Sequence, residues 1–206
     1  MARVKDLDRL QPEFRERVEC VMAQLKGSSH DWQVYETWRQ PKQKHVVSSV
    51  SKTNPFKNPS RHGYGGAVDI VPHGHWGGPW KKASWPGWDE LRAAAHKCGL
   101  QNEITWDRPH VEATRAQITA WLQDSLGIEA DGKWGPNTEK AAKAAAKDYG
   151  IIWRDPVPTA SPRVHPTTYN ELRAALGSSR VATGGGIVLA SIAAVAGLAW
   201  YLYRKG

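Results

Sequence analysis

Two histidines and an aspartate stand in a pair of short motifs, Ser60-x-His62-x-x-Gly65-x-Ala67-x-Asp69 and Asp107-x-x-His110-x-Glu112. Two imidazoles and one carboxylate suit a borderline-soft divalent cation, so His62, Asp69 and His110 are the expected ligands and zinc the expected cofactor. Three protein ligands leave a fourth position for water, the arrangement of a catalytic rather than a structural zinc. A cation held this way brings the pKa of water down to about 7 and polarises a carbonyl. An amide can then be hydrolysed without a serine or cysteine nucleophile.

The residues around these groups must position them. Residues 67–71 alternate like a strand, with Ala67, Asp69 and Val71 on one face and Val68 and Ile70 on the other. Asp69 then faces a cleft while Val68 and Ile70 enter a core, and the glycines before Ala67 permit the turn that folds His62 back over the strand. The same period places His110 and Glu112 on one face. That makes Glu112 a candidate second-layer acceptor for an imidazole N–H. Asp107, three residues before His110 and followed by Pro109, is a candidate general base.

Together the two motifs resemble the zinc peptidases that include phage L-alanyl-D-glutamate endolysins and D-alanyl-D-alanine carboxypeptidases and dipeptidases. Upstream, the stretch from Val34 to Arg39, with Gln43 nearby, is similar to that family's strand bearing a substrate-steadying arginine. Downstream, Trp88 to Leu100 resembles the helix before the last ligand. The resemblance covers residues 10–113. It implies His62, Asp69 and His110 as zinc ligands, Asp107 as catalytic base and Arg39 as an electrostatic clamp on the substrate carbonyl or its oxyanion. Ser60, Gln43 and Trp106 are the candidate substrate contacts. The chain departs from the family where Gln40 to Gln43 is shorter by one residue and where Gln101 to Trp106 replaces a Trp-Gly-Gly segment.

The expected fold is α+β, a small antiparallel sheet with flanking helices carrying one zinc. Leu10, Phe14, Val18, Val21, Met22 and Leu25 recur at helical spacing, with Pro12 near the start of that helix and Gly27 at its end. Residues 32–38 read as a strand, and residues 44–59 as a loop at the rim of the site. Cys20 and Cys98 fall in helical patterns and read as free, buried thiols, with a disulfide as the alternative. Trp76, Trp80, Trp85 and Trp88 either stack on sugar rings or pack as anchors. His73 and His75 read as loop residues, a second metal being the less favoured reading.

A second motif lies at 114–152. Trp121 to Leu126 reads as a helix capped by Gly127, Asp131-Gly132 as a turn, and Pro136 as the start of another helix. It resembles the core of the small helical peptidoglycan-binding repeat, with a plain helical hairpin as the alternative. Residues 153–183, with four prolines before a short helical patch from Tyr169 to Leu176, read as a linker. Residues 184–203 carry no charge and are followed by Arg204 and Lys205. About 20 such residues span a bilayer's roughly 30 Å core, so a C-terminal transmembrane helix is expected.

The formal net charge of +8 favours anionic partners, but no nucleic-acid motif accompanies it. Met1 to Asp6 leads into charged residues, so no secretory signal is expected. The expected protein is therefore a peptidoglycan peptidase of phage-lysin type. It would be held by one C-terminal span in a bacterial inner membrane or virion membrane and act on the cell wall. Two alternatives stay open: a D-alanyl-D-alanine carboxypeptidase, and a catalytically inactive, membrane-tethered wall-binding protein.

Overall fold

The computed structural model describes residues 4–39, 59–74, 82–154 and 161–182, without the side chains of 178–182. Within them the fold is α+β, five α-helices around a three-stranded antiparallel sheet. Gln43, His75, Trp76, Trp80, nearly all of the 44–59 loop and the expected span at 184–203 lie outside the described residues. Among those residues no helix is long and apolar enough to cross a membrane.

Helix α1 (Pro12–Leu25) begins at its proline, whose fixed φ suits the first helical position. Its buried stripe is Phe14, Val18, Val21 and Leu25, the face the periodicity marks. Strand β1 (Trp32–Glu36) pairs antiparallel with β2 (Ala67–Pro72), with an irregular register between Val34 and Glu36. It stops short of the expected 38 because Trp38 bridges instead to Val4. Strand β3 (His110–Glu112) pairs with the other edge of β2, so Asp69 stands directly opposite His110. The central strand is buried throughout. Val68, Ile70 and Val111 join the apolar core, while Ala67, Asp69 and Val71 face the other way.

Helix α2 (Gly87–Lys97) packs on α1 and buries Trp88, Leu91, Ala94 and Ala95. This contact corrects the expectation of free thiols. Cys20 and Cys98 are joined by a disulfide, their Cα atoms 5.9 Å apart. Each cysteine looks like a small apolar residue in its own helix. Only the packing of two helices distant in sequence brings the pair within bonding reach.

Helix α3 (Arg115–Ser125) starts at a complete capping box, Thr114 with Gln117. Helix α4 (Pro136–Asp148) again begins on a proline. Between them the Asp131-Gly132 turn is pinned by the buried Gln123, which accepts from the Gly132 N–H at 2.8 Å and donates to Asp131 Oδ1 at 2.8 Å.

Helix α5 (Pro166–Ala182) corrects the linker expectation for its second half. Tyr169 and Leu172 are fully buried, and the helix packs on α3, on α4 and on a 3₁₀ turn, Arg61–Tyr64. The Tyr169 hydroxyl donates to the Ile118 carbonyl at 3.0 Å, and Asn170 Nδ2 donates to the Gly63 carbonyl at 2.7 Å. The prolines upstream mask an apolar stripe whose partner surface exists only after the rest has folded. One hydrophobic cluster runs from α1 through the sheet to α5.

Candidate metal centre

His62 sits on the 3₁₀ turn Arg61–Tyr64, which closes on Gly65 in the left-handed region at φ 68°. A Cβ at Gly65 would lie 2.8 Å from the Arg9 carbonyl oxygen, and one at Gly66 would lie 2.8 Å from Ile118 Cδ1. Gly65 is therefore required both by close approach to backbone and by its backbone sign, whereas a side chain at Gly66 would push the end of Ile118 aside. The turn delivers a wholly buried imidazole to the sheet. Asp69 comes from the central strand and His110 from its neighbour, so two of the three ligand groups are fixed by strand register.

His62, Asp69 and His110 form a buried group that could hold a metal ion. His62 Nε2 is 3.2 Å from His110 Nδ1 and 3.3 Å from Asp69 Oδ1, while His110 Nδ1 is 3.1 Å from Asp69 Oδ1. Tetrahedral bonds of about 2.0–2.1 Å set ligand atoms about 3.3–3.4 Å apart. The triangle therefore fits a zinc-sized cation after shifts of about a few tenths of an ångström.

The outward-facing atoms are occupied in the way a metal site needs. His62 Nδ1 lies 3.2 Å from the Thr37 carbonyl, which can only accept, so Nε2 is the nitrogen left for the centre. His110 Nε2 donates to Glu112 Oε2 at 2.9 Å, leaving Nδ1 for the centre. Glu112 accepts in turn from Arg61 at 2.6 Å. Arg39 donates to Asp69 Oδ2 at 3.0 Å and grips Glu36 through two nitrogens, at 2.7 and 3.0 Å.

The titration behaviour follows from these contacts. Burial alone would raise Asp69, but hydrogen bonds from His110 and His62 outweigh it and hold the carboxyl well below the usual carboxylate range. Burial opposes charge on His110, yet hydrogen bonds to Asp69 and Glu112 raise it to about 9. Asp107 is pushed up, by burial first and by the charge of Asp69 second. A carboxyl moved upward is the better proton acceptor at neutral pH.

The structure brings Asp107 beside the three ligand groups, close enough to feel the charges of Asp69, His110, Arg39 and His62. Trp106, 76% exposed, stands next to it and is open to a substrate. Ser60 precedes the 3₁₀ turn, but its side chain caps no amide there. Trp85 and Trp88 resolve as packing anchors, edge-on to each other and tilted against Trp32, with His30 tilted against Trp85, and His73 is exposed.

Four contributors escaped the sequence reading. Glu36 stands three residues before Arg39 at the strand irregularity, and Arg61 adjoins a ligand, so charge spacing hinted at both. Thr37 acts through its backbone, which side-chain type does not announce. Asn102 is buried and ties down the Asp107 loop by donating to the carbonyls of Arg108 at 2.8 Å and His110 at 2.9 Å.

Comparison with protein-family models, with curated proteins and with solved structures returns no match.

Proposed function

We propose that this chain is a zinc peptidase that hydrolyses the stem peptide of peptidoglycan, cutting between L-alanine and D-glutamate. One observation carries the reading: a buried two-histidine, one-carboxylate triangle of zinc dimensions, each member already oriented by a partner on its outer side. A structural zinc takes four protein ligands, whereas three leave room for reacting groups.

Zinc bound there supplies Lewis-acid polarisation of the scissile carbonyl and acidifies water. Asp107 takes the proton from the attacking water and returns it to the leaving amine, a role served by its raised pKa. Arg39 keeps the Asp69 carboxylate in place, and its partly exposed guanidinium stabilises negative charge developing on the substrate oxygen. Trp106 offers an exposed apolar face to the peptide.

The Cys20–Cys98 disulfide supports a working environment outside the reducing cytosol, where the wall lies. In this proposal residues 114–152 engage peptidoglycan, and residues 184–203 hold the protein at a membrane.

The test is mass spectrometry of purified peptidoglycan after incubation with the zinc-loaded chain. Release of fragments with a new D-glutamate amino terminus is the expected result. Loss of terminal D-alanine alone would reassign the bond to a carboxypeptidase, and an undigested wall with zinc bound would reject the peptidase reading.

A further inference from the structure

We infer that a second site, in the cleft between the start of α4 and Arg163, binds a carboxylate-bearing sugar strand. The ligand's identity rests on the wall-hydrolase reading; the site itself does not. The cleft measures about 450 Å³, and Trp134, Pro136, Glu139, Lys140, Lys143 and Arg163 line it. That is within the size range of clefts that take small ligands. None of the metal-centre residues contributes to it.

The lining has an apolar wall and an excess of positive charge. Lys143 is committed: its Nζ is 2.6 Å from Glu139 and sits 5.6 Å from the centre of the Trp153 ring. Glu139, the cleft's single carboxylate, pairs with Lys143 and also feels the charge of Arg163, so one negative charge faces three positive ones. Lys140 and Arg163 are exposed and hold no ion pair among the described residues. The half-buried Trp134 presents an indole against which the C–H face of a sugar ring can lie.

Two fixed segments form the walls. Helix α4 is docked through buried Thr138, Ala142 and Ala146. Arg163 precedes the fully buried Val164, whose carbonyl accepts from the Tyr64 hydroxyl at 2.9 Å. A cleft held by the core loses little freedom when it binds. An aromatic wall with a net excess of positive charge matches a polymer that carries ring faces and carboxylates together, as peptidoglycan does on its sugars and their stem peptides. A glycerol-phosphate polymer offers the negative charge without the ring.

Isothermal titration of the full chain in detergent, kept metal-free with chelator so that no ligand is digested, provides the test. The probe is a soluble disaccharide-tetrapeptide oligomer. The expected result is saturable binding that weakens at least about tenfold in Lys140→Ala/Arg163→Ala and in Trp134→Ala. Raised salt and amidation of the probe's carboxylates weaken it as well. An unchanged thermal midpoint in the lysine–arginine double variant shows that its loss is not unfolding. Undetectable binding by the parent chain, equal binding by that double variant, or equal binding of the amidated probe would overturn the site. Tighter binding of poly(glycerol phosphate) would overturn the choice of ligand. Because the readout is binding without metal, failure of the peptidase reading appears separately, as a wall left uncut by the zinc-loaded chain.

Discussion

His110 and Glu112 share one face of a three-residue strand, and the imidazole Nε2 meets the carboxylate Oε2 at 2.9 Å. Arg61 holds the same carboxylate oxygen at 2.6 Å. This chain fixes the ring so that Nδ1, not Nε2, faces Asp69 and His62. Partners of this kind are worth about 10–100-fold in metal affinity. Glu112→Ala is expected to weaken zinc binding by about that factor in a chelator-competition titration. Equal affinity in the variant would show that the strand, not the carboxylate, sets the ring.

Zinc content and turnover separate the ligands from the base. His62→Ala or His110→Ala should abolish stoichiometric zinc by elemental analysis, and cleavage with it. Asp107→Ala should keep its zinc and lose about 10²–10⁴-fold in rate, the usual worth of a positioned general base. An Asp107 variant that loses its metal, or one that cleaves at the parent rate, would remove that residue from the proposed role.

The convergence of His62, Asp69 and His110 was largely readable in the sequence because strand geometry is periodic. Asp69 and His110 stand on strands whose alternation assigns their faces, and register then sets them opposite each other. The glycines beside His62 announced a tight turn. Long-range contacts left no such periodic trace. Cys20 and Cys98 meet only because α1 packs on α2. The stripe on α5 was partly visible from Tyr169 to Leu176, but prolines upstream suggested a spacer, and nothing local names the 3₁₀ turn as its partner. Asn102 looks like any loop amide until its two carbonyl acceptors are seen.

Arg39 distinguishes a clamp on substrate from a brace on the candidate ligand Asp69. It touches Asp69 Oδ2 at 3.0 Å, so its removal should act on both. Arg39→Ala is expected to lower zinc affinity by about tenfold. It should also lower kcat at saturating zinc by about 10²-fold, the scale of one lost oxyanion donor. Arg39→Lys keeps charge but not the two-nitrogen grip on Glu36, and should recover only part of each. Unaltered zinc affinity in Arg39→Ala would leave the substrate role alone.

Acidity should oppose the metal in a definite window. With His110 raised to about 9 by Asp69 and Glu112 against the effect of burial, its inward nitrogen is protonated at neutral pH. A cation must displace that proton. Zinc affinity should therefore rise about tenfold per pH unit from neutrality towards 9 and level off above it. Titration with a competing chelator at several pH values checks this, together with the proton released on binding. A flat profile between pH 7 and 9 would contradict the coupling.

Helix α5 should be part of the unit that positions His62 rather than a tether. Tyr169 is fully buried, its ring edge-on to Tyr64 at 5.3 Å between centroids, and Tyr64 closes the turn that carries His62. Arg173 adds a polar tie, donating to both Glu13 oxygens at 2.7 and 2.8 Å, to Gln11 Oε1 at 2.9 Å, and to Trp121 and Ser125. Tyr169→Ala removes a large buried ring and should cost about 3–5 kcal/mol by denaturant unfolding. Because the lost packing lies against the His62 turn, zinc affinity should fall as well, whereas an equally destabilising change at Val21, in the second half of α1 and away from the Gln11 end that meets the turn, should leave the metal bound in the folded protein. If truncation before Pro166 left both the unfolding midpoint and zinc affinity intact, α5 would be the spacer that its prolines suggested.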